Sequence, residues 1–216
     1  MLVPRYSHAD CSHAVVHTPS GQLRTGARPP LLADVLDSAL NIGSLSQMVV
    51  EIKPGNSEMG SALCKLFLRR PELIGAVGVV MSFDLFIMHD FVKLFNEIAL
   101  SPDTPRPMML LLTVSELDSP DNENCCWLSV DKPLPNINDW LVRPDSALDG
   151  LYVQFEDSMV ESGAGLESFK ALCKSLDTVG VWGHTKKYPD RVATAQTLIG
   201  LGAANVNTDL PREYCE

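Results

Sequence analysis

The sequence predicts an α/β protein whose parallel sheet curls into a TIM-type (β/α) barrel, incomplete, with about six of the eight strands. Three observations predict it. Short apolar runs alternate with helix-like amphipathic segments, the pattern of a parallel sheet covered by helices. No strand leads into GxGxxG or GxxxxGK[ST], so the phosphate loops of common open-sheet folds are missing. Polar residues gather at the C-terminal ends of several strands, where a barrel builds its site. They are Glu51 and Lys53, Ser82 and Asp84, Glu116, Gln154 and Glu156, His184, and Thr208 with Asp209.

Residues 1–28 form an irregular N-terminal segment rich in His, Ser, Pro and Gly, with His13–His17 its strand-like piece. The barrel domain takes 29–216. "PPLLADVLDSALNIG" reads as a helix, with Leu32, Val35, Leu36 and Ala39 on one face and Gly43 near its stop. "QMVVEIK" is a strand ending in a Pro-Gly turn. "SEMGSALCKLFLRR" is a helix with Ser57 as N-cap. "AVGVVMSFD" is a strand and "LFIMHDFVKLFNEIAL" a helix that Asp84 caps, with His89 as a surface or packing residue. "MMLLLTV" is a strand, followed by a polar excursion from Glu116 to about Asn136 and a short helix or turn in "INDWLVRP". "LDGLYVQF" is a strand, "GLESFKALCKSLD" a helix, "VGVWGH" a strand, "DRVATAQTLIGLG" a helix ending at Gly202, and "ANVNTDLP" a last short strand.

The composition narrows function. A net charge of −10 argues against a general nucleic-acid binder, which needs clustered Lys and Arg. No apolar run is long enough to span a bilayer, and the first residues lack the apolar core of a secretion signal, so the expected location is cytoplasmic. The six cysteines form no CxxC pair and read as reduced; Cys64 and Cys173 fall on apolar helix faces.

The strand "MVVEIKPGN" ends in opposite charges two residues apart. Residues two apart share a strand face, so Glu51 and Lys53 point into the barrel near its rim while Val50 and Ile52 face the helices. A buried carboxylate needs a partner. Either a metal ion or the Lys53 ammonium supplies one, and the second is a plain ion pair with no function.

"PPLLADVLDSAL", "VVEIKPGN", "VVMSFD", "VWGH" and "VNTDLP" occur in that order. Together they resemble the glycerophosphodiester phosphodiesterase family, in which a helix precedes a strand ending E-x-K, strands bearing S-F and W-[TG] follow, and the barrel ends in T-D-x-P. The resemblance covers roughly Pro29 to Arg212. It implies hydrolysis of a glycerophosphodiester, or a lysophospholipid-type substrate, to glycerol 3-phosphate and an alcohol, aided by a divalent cation, Mg²⁺ or Ca²⁺. It implies Glu51 as a metal ligand, Lys53 on the phosphate, and Trp182 lining the substrate pocket, where core packing is the plainer reading. Gln154, near a strand end, is a candidate pocket residue. Hard cations take carboxylate oxygens, and an ammonium offsets charge developing on the phosphoryl group.

The family's opening H-R-G, P-E-N and E-x-D segments have no counterpart here. "HAVVHTPSGQLRTG" resembles its second histidine segment and places His17 at a catalytic position, with Thr18 where the family has Asp. The expectation is a sequence that begins part-way through the domain. Two further readings stand beside the hydrolase: a non-catalytic barrel relative acting as a binding or interaction protein, and a phospholipase C-like barrel enzyme. The E-x-K, Trp and T-D-x-P elements favour the glycerophosphodiester hydrolase over the phospholipase C-like enzyme.

Overall fold

β-branched and leucine-rich runs fill the strands because both faces of a parallel sheet are covered. The computed structural model describes residues 30–42, 47–98, 104–116 and 125–209, together with the backbone of 16–17 and 23–24. Its elements are β1 (Val16–His17), β2 (Leu23–Arg24), α1 (Leu32–Asn41), β3 (Met48–Glu51), α2 (Ser57–Arg69), β4 (Val77–Ser82), α3 (Leu85–Glu97) and β5 (Met108–Val114). Then come β6 (Cys126–Trp127), α4 (Asn138–Leu141), β7 (Gly150–Gln154), α5 (Ala164–Ser175), β8 (Thr178–Trp182), α6 (Val192–Gly200) and β9 (Asn205–Val206). Six strands run parallel in the order β3-β4-β5-β7-β8-β9 and curl into a half-barrel, an incomplete TIM-type barrel. The short β6 joins β5 off this path, and β1 pairs antiparallel with β2 in a sheet of their own.

Register sorts the side chains by face. Val80, Met109, Leu111, Leu151, Val153, Val179 and Val181 face the helices in one buried cluster with Leu36, Phe67, Phe91 and Phe169, and the half-buried Val50 packs against it. The concave side carries the alternate set. Val49 lies opposite Val79, Glu51 opposite Met81, Leu112 opposite Tyr152, Tyr152 opposite Gly180, and Gln154 opposite Trp182. Gly180 exists for its neighbour: a Cβ there would lie 1.9 Å from Tyr152 Cδ2. A large residue on β7 over a glycine on β8 fills the curl without a void.

Local chemistry sets the ends. Gly55, after Pro54, has φ +74°, the left-handed residue that turns the chain out of the β3 segment. Asp84 caps α3, its Oδ1 accepting from the N–H groups of Phe86 (2.9 Å) and Ile87 (3.1 Å). The α2 cap differs from expectation. Asn56 holds that position without a side-chain bond, and Ser57 is the first helical residue. At the end of α6, Gly202 (φ +114°) donates to Ile199 O and Ala203 to Leu198 O, a Schellman stop. The polar excursion after Glu116 also differs in part. Residues 126–127 pair with β5, and Leu128 and Val130 are buried. Among the described residues no helix is long and apolar enough to cross a membrane.

Candidate functional site at the C-terminal rim

All six strands of the half-barrel point their C-terminal ends at one rim, so the residues that end them become neighbours. On β3, Lys53 Nζ donates to Glu51 Oε1 at 2.7 Å, with the lysine side chain 65% exposed and the glutamate 25%. The strand therefore ends in opposite charges because each satisfies the other at an open part of the rim. Asp84 and Glu51 both raise the Cys125 thiol electrostatically, after the larger effect of burial, so these three groups share that sector.

The opposite sector is a cleft of ≈ 680 Å³ above β5, β7, β8 and β9. Gln154, Glu156, Trp182, His184, Asp190 and Thr208 are among its walls, and no Lys or Arg is among the described residues lining it. The structure thus brings Gln154 and Trp182 together. It leaves Glu51 and Lys53 outside that lining, at the β3 end. Trp182 reaches between the sectors. Its Nε1 donates to Thr113 O on β5 at 3.0 Å, and its ring meets Phe83, just past β4, edge-on at 5.4 Å. The indole forms a floor across the barrel mouth, which combines a pocket wall with the packing role.

The polar walls are fixed by their own partners. Gln154 Oε1 accepts from Ser115 N (2.9 Å) and Ser115 Oγ (3.2 Å), which sets the direction of its amide. Glu156 accepts from Ser129 Oγ (2.7 Å) and Val130 N (2.8 Å), and burial pushes its carboxyl above the usual range against those two bonds. Asp190 Oδ2 accepts from Thr208 Oγ1 (2.8 Å) and Asp209 N (2.6 Å), so the last turn is held by Asp190, with Asp209 contributing its backbone. Asp157 Oδ1 accepts from Thr185 Oγ1 at 2.5 Å.

Two histidines have defined places. His184 is exposed on the cleft wall. His89 is 3% exposed beneath the rim, with Nδ1 2.7 Å from Ser146 O and 2.9 Å from Ser146 Oγ, and Nε2 2.8 Å from Trp140 O. It ties α3 to the segment after α4, a packing role. The third candidate, His17, has its backbone in β1 opposite Leu23, while its side chain lies outside the described residues. Burial pushes the thiols of Cys64, Cys126 and Cys173 up to about 11, which leaves them protonated at neutral pH.

Sequence reasoning missed Phe83, Ser129 and Asp190. Phe83 stands in the quoted "VVMSFD" without a role of its own; Ser129 sits in the polar excursion; Asp190 opens a helix segment.

Glu51 is bonded to Lys53, Asp84 is spent on the cap of α3, and among the described residues no group of three His, Cys, Asp or Glu side chains could hold a metal ion. The described residues alone do not fit one.

The fold and site define a class: a parallel half-barrel with a polar cleft and a charged pair at the C-terminal rim. Compared with family models, with curated proteins and with solved structures, the chain matches none.

Proposed function

We propose that the rim belongs to a glycerophosphodiester phosphodiesterase-like hydrolase, and that it holds a glycerophosphodiester or lysophospholipid-type substrate in the cytoplasm. The observation that supports this most is the placing of Glu51 and Lys53 on the concave face at the end of β3, on the same rim as the cleft lined by Gln154 and Trp182. In this reading the Lys53 ammonium takes the phosphodiester, where a mostly exposed cation can turn from Glu51 to an incoming anion. Trp182 and Gln154 bound the space for the rest of the molecule. His17 is the proposed acid–base group: the reaction must take one proton and give one near neutral pH, work to which histidine is suited. The divalent cation that the resemblance implies, Mg²⁺ or Ca²⁺, would sit at Glu51. It needs donors besides those the described residues offer.

A second reading is supported by a specific contact. The Glu51–Lys53 pair at 2.7 Å is what a non-catalytic barrel relative, a binding or interaction protein, would keep at this position.

Hydrolysis of glycerophosphocholine by the purified chain, with Mg²⁺ or Ca²⁺ and with EDTA, tests the two readings. The hydrolase reading expects cation-dependent release of choline that Glu51→Ala and Lys53→Ala abolish. A folded sample that releases none, or releases it equally in EDTA and in Glu51→Ala, overturns it.

A further inference from the structure

The first strand of the half-barrel has a free side. Ile52 N–H donates to Met81 O at 2.8 Å, so by alternation Val50 and Ile52 turn their backbone groups toward β4. Val49 and Glu51 turn theirs to the other side, where among the described residues no strand pairs with β3. Val49 is also 55% exposed, an apolar side chain on the face that a barrel normally closes. Parallel strands are seldom left open in this way.

The geometry of α1 says what belongs there. Leu36 is fully buried on the convex face, and Asp37 makes two 2.6 Å bonds to the guanidinium of Arg70, so the helix is clamped beneath the sheet. Leu40, in its last turn, lies against Gly75, in the segment leading into β4. The helix therefore ends at the foot of the sheet and starts on the rim side. A strand entering α1 would end at the rim, running parallel to β3. Right-handed crossovers place such a strand beside the next one, which is the free side of β3. In the chain, β2 comes before α1 and β3 comes after it.

We propose that β2 adds to the free edge of β3 as a parallel neighbour, with β1 antiparallel on its far side, so that the segment before α1 supplies the next stave of the barrel. The proposal concerns chain pairing and stands whether or not the rim hydrolyses a phosphodiester.

Residue-resolved amide hydrogen exchange on the full chain tests it. The Val49 and Glu51 amides should be protected at protein concentrations low enough to exclude self-association. Leu23→Pro with Arg24→Pro removes the donors of β2. It should then speed exchange at Val49 and Glu51 by at least roughly tenfold while Val50 and Ile52, bonded to β4, keep their rates. Free exchange at Val49 and Glu51 in the unmodified chain overturns the proposal without any variant. Protection that survives both prolines also overturns it. So does protection that grows with protein concentration, which would assign the edge to a second copy.

Discussion

β5 and β3 belong to one sheet and live under different rules. In β5, Met109 through Val114 are all buried, and the sequence there is an apolar run interrupted by Thr113 alone. At β3 the helix-facing residues pack against the core while Val49 and Glu51, with Lys53 just past the strand, keep contact with solvent, and from Val50 to Lys53 the sequence alternates apolar and charged. The difference teaches where charge is cheap. A Glu–Lys pair in the middle of this sheet would carry a desolvation cost of several kcal/mol, whereas at the β3 rim both side chains keep water.

The sharpest way to break that comparison is truncation at matched places. Leu111→Ala should lower unfolding stability by about 2–5 kcal/mol in urea titration, because it empties a fully buried site. Val49→Ala should cost less than about 0.5 kcal/mol if its side chain faces solvent. Equal losses would mean that the concave face at β3 is covered as well as the centre is.

A smaller effect probes the curl itself. Gly180→Ala should cost about 1–3 kcal/mol, since the new methyl meets the Tyr152 ring. Combining it with Tyr152→Ala should cost less than the sum of the two single changes. Strict additivity would show that the ring does not need the glycine.

The smallest effect is a pH dependence on the cleft side. Burial raises the Glu156 carboxyl, so the folded chain holds that proton to a higher pH than the unfolded chain does. Its contribution to stability is fully present below the ordinary value of 4.5 and is lost as pH rises through the raised value. Denaturation midpoints should therefore fall across that window in the parent and flatten in Glu156→Gln. A midpoint that rises there, and rises equally in the variant, would place the cause elsewhere.

Much of the architecture was legible because it follows from period and punctuation. Five strands of the path sit within the segments that predict them, β8 starts one residue early at Thr178, Asp84 caps α3, and Gly202 stops α6. What escaped depends on distant partners. β6 is two residues long and has no pattern of its own; it exists because the end of β5, at Thr113 and Val114, runs past its pairings with β4 and β7. Ser57 looks like a cap by type, yet the chain bends one residue earlier. At the rim, the Glu51–Lys53 pair was readable from its spacing, since two residues apart in a strand fixes a common face. The reach of Trp182 over β7 to Thr113 was not, because no local rule says how far a side chain leans across a curved sheet.

That leaning indole also makes the molecule observable. The chain has three tryptophans, and Trp127 is among its exposed apolar side chains. Trp182 is held by a β5 carbonyl and a phenyl edge beyond β4 while its own backbone belongs to β8. Its emission is consequently tied to the spacing of strands that are not sequence neighbours. The difference spectrum between the parent chain and Trp182→Phe isolates that signal. A ligand that spreads the mouth, or a denaturant that frays it before the helices melt, would announce itself as a shift of that one band to the red.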